Sequence, residues 1–180
     1  MCDYANSLCV PKTLLKKIIA EAATSNELIQ MHGLIDEFTL AEFELTCNTK
    51  EIWLISSDFS VESTDNIFQS IVEKNLRRGI SYTLFALDTK IARDRAVRIQ
   101  NMYSHIKRRG KISVKFIDPK DAKLVFMMYN FAIYNPLHTQ GMDQTAIICF
   151  GENDDTVRSI YRRLPRDAGN SICETVKAYK

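Results

Sequence analysis

Apolar residues recur at two different spacings along the chain, and the change from one to the other falls near residue 50. Before it, Leu14, Leu15, Ile18, Ile19 and Ala22 lie three and four apart, which predicts a helix with Pro11 in its first turn and an end near Thr24. A second helix is expected over 25–38. Thr39-Leu-Ala-Glu42 then reads as a capping box, in which hydroxyl and carboxylate satisfy free backbone amides at the start of a short third helix.

After residue 50 short apolar runs alternate with amphipathic segments. Ile52 to Ser56 predict a strand, and Ile67, Phe68, Ile71, Val72 and Leu76 mark one face of a helix that stops at Gly79. A strand over 80–87, a helix over 90–109 ending at Gly110, and a strand over 112–117 closing at Asp118-Pro119 complete a βαβαβ order. Right-handed crossovers then place three parallel strands in one sheet. Strands over 125–134 and 145–150 flank the loop 135–144 and are expected to pair antiparallel at one side, before helices over 154–164 and 167–178. The expected class is therefore α/β, with a mainly parallel central sheet, flanking helices and preceding N-terminal helices. A single domain is expected to span all 180 residues, with an N-terminal helical segment (1–48) packed on an α/β core (49–180). Trp53 and the run Phe126-Met-Met-Tyr-Asn-Phe131 are read as core.

Composition narrows the class without changing it. A chain of 180 residues with 46% hydrophobic and 26% charged residues can bury a core without metal or disulfide support. The five cysteines, Cys2, Cys9, Cys47, Cys149 and Cys173, show neither disulfide-framework nor zinc spacing. No apolar stretch is long enough for a membrane span and no export signal opens the chain, so a cytoplasmic protein is expected. No glycine-rich phosphate loop, His-Glu-x-x-His or nucleophile elbow occurs, so no cofactor and no metal are expected.

Lys50-Glu-Ile-Trp-Leu-Ile-Ser-Ser-Asp-Phe59 resembles the first strand of small prokaryotic phospholipase D-like proteins, and Glu73-Lys-Asn-Leu-Arg-Arg-Gly-Ile-Ser-Tyr-Thr-Leu84 resembles their next helix and strand. Phe131-Ala-Ile-Tyr-Asn-Pro136 and Ala146-Ile-Ile-Cys-Phe-Gly151 are similar to the strand pair that in active members surrounds the catalytic histidine and lysine. The resemblance covers roughly residues 40 to 178, in pattern and element order. It implies one half of a phospholipase D-like fold and, because active members bring two motifs into one site, a homodimer. The family's His-x-Lys-x4-Asp signature is absent: His105-Ile-Lys107 has Ile112 at the aspartate position, and His138 is followed by Gln140 in place of lysine.

The expected function is thus a noncatalytic sensory or regulatory module. It would bind a small polar or phosphate-bearing ligand, or a protein partner, around the strand ends and the 135–144 loop. Open parallel sheets bind ligands at the carboxyl ends of their strands, which here carry Ser56, Ser57, Asp58, Asp88 and Asp118. For Asp88 and Asp118, capping of following helices is the preferred explanation over ligand binding. Arg95 falls among Ile91, Ala96, Ile99, Met102 and Ile106 on the expected buried face, which calls for a carboxylate partner or a bound anion. An enzyme reading, a metal-independent phosphodiesterase or nuclease across a homodimer, would use His138 as nucleophile. His32 is read as a helix-end contact.

Charge supplies a third reading. Between Lys90 and Lys111 eight basic residues face the single acid Asp94, although the whole chain carries only +2. A nucleic-acid binder would use Arg93, Arg98, Lys107, Arg108 and Arg109 of this helix.

Overall fold

The computed structural model describes residues 34–35, 37–106, 110–122, 130–138, 143–150 and 160–179. The two helices expected before residue 33, and His32, lie outside the described residues. The described chain runs β1 (Leu34–Ile35), α1 (Glu37–Thr46), β2 (Glu51–Ile55), α2 (Ser60–Thr64), α3 (Asn66–Arg78), β3 (Ser81–Leu87) and α4 (Lys90–Tyr103). It continues with β4 (Ile112–Ile117), β5 (Asn130–Tyr134), β6 (Thr145–Phe150), β7 (Ile160–Arg163) and α5 (Arg166–Lys177).

Among the described residues, seven strands form one sheet in the order β1-β7-β6-β5-β2-β3-β4. β2, β3 and β4 are parallel, as their helical crossovers require. β5 joins β2 antiparallel, and β6, β7 and β1 follow antiparallel in turn. The α/β class, the three parallel strands and the antiparallel pair of β5 with β6 agree with the sequence pattern.

Alternation along β2 divides the core into two layers, because successive side chains point to opposite faces. Ile52 and Leu54 join Val72, Leu76, Ala92, Ala96 and Ile99 under α1, α3 and α4. Trp53 and Ile55 join Phe85, Ile133, Cys173 and Val176 under α5. Trp53 is fully buried against Phe85, at 5.4 Å between ring centroids.

Local chemistry fixes the connections. The Asp65 carboxylate caps α3 by accepting from the amides of Ile67 at 2.8 Å and Phe68 at 2.9 Å. Gly79 ends that helix at φ 95°, a left-handed conformation that favours glycine. Gly110 is needed for a different reason: a Cβ there would lie 2.1 Å from the Ile80 carbonyl oxygen.

Several expectations are corrected. β1 occupies residues expected to be helical, and Thr39 lies inside α1 instead of capping it. α4 ends at Tyr103, well before residue 109. β5 begins at Asn130; 125–129 lie outside the described residues. Residues 160–163, expected as helix, form β7, because pairing with β6 on one side and β1 on the other satisfies their backbone groups. Thr89, not Asp88, caps α4, its hydroxyl accepting from the Ala92 amide at 3.1 Å. Asp118 caps no described helix: its carboxylate accepts from the Lys120 amide at 2.9 Å within a turn.

Candidate functional site

The register of β2 with β5 decides where the expected site residues stand. Ile55 lies opposite Phe131 and Ile52 opposite Tyr134, so β5 ends where β2 begins. The loop after β5, with His138, therefore sits at the amino end of the parallel strands. Ser56, Ser57, Asp58, Asp88 and Asp118 sit at the carboxyl end. The strand ends and the 135–144 loop, expected to form one site, are separated by the length of β2, roughly 16 Å for its five residues.

The carboxyl end has the richer chemistry. β2 runs into a turn in which Phe59, fully buried, adopts φ 61° and ψ 32°, a left-handed conformation that is costly for a bulky residue. The Ser56 hydroxyl holds this turn by accepting from the Phe59 amide at 3.0 Å, and the Asp58 carboxylate accepts from the Ser60 amide at 3.0 Å. Asp58 also forms an ion pair with Arg95 of α4, whose guanidinium reaches the Asp58 carbonyl at 3.3 Å as well. Arg95 thus has the carboxylate partner its position called for, with about a third of its side chain exposed, whereas Ile91 on the same helix is 58% exposed and not part of the core. Ser57 is exposed.

One turn further on, α2 places Glu62 in the interior. Burial pushes its carboxyl up to about 7, although hydrogen bonds to its own backbone and to Ser56 pull the other way. One oxygen, Oε2, has no hydrogen-bond partner among the described residues. Glu62 lines a cavity of about 70 Å³ whose wall is mostly apolar, including Leu54, Ile67, Phe68, Phe131 and Ile147. A second buried acid, Glu44 of α1, also lines it; burial pushes this carboxyl up to about 7, and it accepts from the Tyr134 hydroxyl. Asn75 extends this network, donating to the Tyr82 hydroxyl at 2.8 Å and to the Glu44 carbonyl at 3.2 Å.

The remaining candidates are dispersed. Asp88 is engaged by Arg93 through two bonds of 2.5 and 2.6 Å, and the Arg93 guanidinium lies 4.8 Å over the Phe116 ring. Arg98 is exposed on α4, and Lys107, Arg108 and Arg109 lie outside the described residues. His138 is exposed at φ 50°, its amide closing a turn on the Asn135 carbonyl at 3.1 Å. His105 is also exposed, with Nδ1 3.0 Å from the Met102 carbonyl at the end of α4. Among the described residues no three His, Cys, Asp or Glu side chains are grouped to hold a metal ion. No described helix is long and apolar enough to cross a membrane.

Sequence reasoning misses Glu44 and Glu62. Ser60-Val-Glu-Ser-Thr64 has the composition of a solvated turn, and nothing in it marks Glu62 as buried. The one signal in the sequence, small polar residues at the end of a buried strand, leads to the right region through Ser56 and Asp58.

The fold and the site together define an α/β domain with a mixed sheet and flanking helices. Among solved structures the chain is similar to the crystal structure of polyphosphate kinase from Porphyromonas gingivalis, with a TM-score of 0.50 and 13% identity over 81% of this chain. The chain spans 23% of the length of that kinase, and at this identity the likeness shows the fold alone. No family model matches the chain, and no curated protein matches it.

Proposed function

We propose that this chain is a noncatalytic ligand-binding module of phospholipase D-like fold, whose ligand sits at the carboxyl end of β2 against Glu62. The observation that carries this reading is that Glu62 lines an apolar cavity and has a buried oxygen with no described hydrogen-bond partner: an unpaired buried acceptor is costly, and a bound donor offsets that cost. The ligand class follows from the wall. An apolar body matches the aliphatic and aromatic lining, and a hydroxyl or amine matches the carboxyl. A phosphate would meet Glu44 and Glu62 with no described cation on the same wall, so of the two ligand types expected the small polar one fits this end.

The noncatalytic assignment rests on the missing His-x-Lys-x4-Asp signature and on His138, which stands at the opposite end from Ser56 and Glu62. A sensory or regulatory role in the cytoplasm, and pairing of two copies, belong to the same proposal. The nucleic-acid reading is weakened at Arg93, whose guanidinium is already occupied by Asp88.

Benzylamine and benzyl alcohol serve as probes of the cavity. Saturable thermal stabilisation of the native protein, absent in Glu62→Ala, is the expected result; no stabilisation by either compound at any pH from 5 to 9 defeats the ligand assignment. Chemistry is tested separately with a generic phosphodiester and single-stranded DNA in excess EDTA. Neither the native protein nor His138→Ala is expected to turn them over, and metal-independent turnover lost in the variant would establish the enzyme reading instead.

A further inference from the structure

We propose a second binding site, at the amino end of the sheet, for a phosphate-type oxyanion: inorganic phosphate or the phosphate group of a small monoester. It lies where β6, β7 and the start of α5 converge, in a hollow of about 190 Å³ lined by Gln144, Ala146, Arg163, Arg166 and Asp143.

Gln144, Arg163, Arg166 and the start of α5 border this hollow for separate reasons. α5 has twelve residues, and its first backbone bond runs from the Gly169 amide to the Pro165 carbonyl at 3.0 Å. The amides of Arg166, Asp167 and Ala168 therefore have no acceptor within the helix, and Pro165 at the N-cap offers no side chain to supply one. Such an end favours negative charge through its dipole and its free N–H groups. Close packing of Gly169 on Ala146, where a Cβ would lie 3.1 Å from the alanine Cβ, sets this helix start against β6.

The second observation is independent of the helix. Gln144, just before β6, is only 8% exposed and lines the hollow, yet its Nε2 has no hydrogen-bond partner among the described residues. A buried amide nitrogen is a pure donor, so what it lacks is an acceptor. Arg163 and Arg166 add two guanidinium groups, the former 3.3 Å from the Thr145 hydroxyl. The opposing charges are Asp143, whose carboxylate is 3.6 Å from the Arg166 guanidinium with both side chains largely exposed, and Asp167 in the first turn of α5. The Asp143 contact is too long and too wet to hold Arg166 firmly, so an anion that also takes bonds from Gln144 and the helix amides displaces it. An oxyanion with several acceptor oxygens satisfies Gln144, the amides and the guanidinium groups at once; a lone water cannot.

This site shares no residue with the Glu62 cavity, and its test is independent. Amide NMR spectra are followed while inorganic phosphate or glycerol 3-phosphate is added at constant ionic strength. The expected result is a saturable shift of the Arg166, Asp167 and Ala168 amides and of the Gln144 side-chain NH2, weakened by about tenfold or more in Arg163→Ala/Arg166→Ala. Gln144→Leu, which keeps both arginines, provides a second variant and weakens binding too, while Glu62→Gln leaves it unchanged. Tighter binding of glycerol 3-phosphate identifies a monoester site, and equal binding identifies a site for the phosphate group alone. No saturable shift with either anion, or shifts unaltered in both variants, overturns the proposal.

Discussion

Two carboxylic acids in an apolar interior give this fold a pH dependence that its surface does not reveal. Glu44 and Glu62 are both pushed up to about 7 from an ordinary 4.5, with burial as the main cause. Between those values the folded chain keeps protons that the unfolded chain has released. Stability is therefore greatest below pH 4.5 as far as these acids are concerned, and it falls as pH rises towards 7, by up to about 1.4 kcal/mol per pH unit for each acid. Glu62→Gln is expected to flatten this slope and raise the melting temperature at pH 8, read by thermal denaturation across pH. Tyr134→Phe removes the hydroxyl that serves Glu44 and is expected to destabilise the fold by about 1–3 kcal/mol in urea denaturation. At this scale the sequence is legible for Trp53, whose place in an apolar strand marks it as core, and for Arg95, whose position demands an acid. It is silent for Glu62 and Gln144, because what distinguishes them is one buried polar atom in each without a described hydrogen-bond partner, a property of three-dimensional neighbours.

Elements follow the apolar period where burial and period agree. α3 shows its stop signal, Gly79, in the sequence, whereas its start at the Asp65 cap emerges only in the structure. β7 is not legible in this way, since Val157, Ile160, Tyr161 and Leu164 fall at helical spacing; pairing on both sides outweighs that weak local preference. The capping role expected of Asp88 belongs to its neighbour Thr89, a one-residue error typical of helix ends, where either side chain is chemically able to cap. Gly110→Ala is expected to cost about 2 kcal/mol or more, because the Ile80 backbone cannot yield the space that a methyl group requires. Gly79→Ala is expected to cost about 1 kcal/mol through its backbone conformation alone. Comparing the two by urea denaturation separates steric crowding from conformational strain.

For the molecule as a whole, the two candidate sites lie at opposite ends of one sheet, joined by β2, β5 and β6. The α/β class and the parallel strands are evident from element order, but the separation is not. It depends on β5 running antiparallel to β2, a choice that the alternating apolar pattern of a strand does not encode. Pairing of two copies, expected from the phospholipase D-like resemblance, is checked by sedimentation: a dimer is the expected outcome, and a concentration-independent monomer excludes it.

The strand order also dictates a timetable. β2, β3 and β4 neighbour each other in sequence and in space, so their contacts close short stretches of chain. β5 must return to the far side of β2 from beyond β4, and β1 waits for β7, with Leu34 opposite Arg162. Closing long loops is slow compared with closing short ones. During synthesis the emerging chain therefore holds β2 with one side unpaired until β5 leaves the ribosome, and β1 without its partner until almost the whole described length has been made.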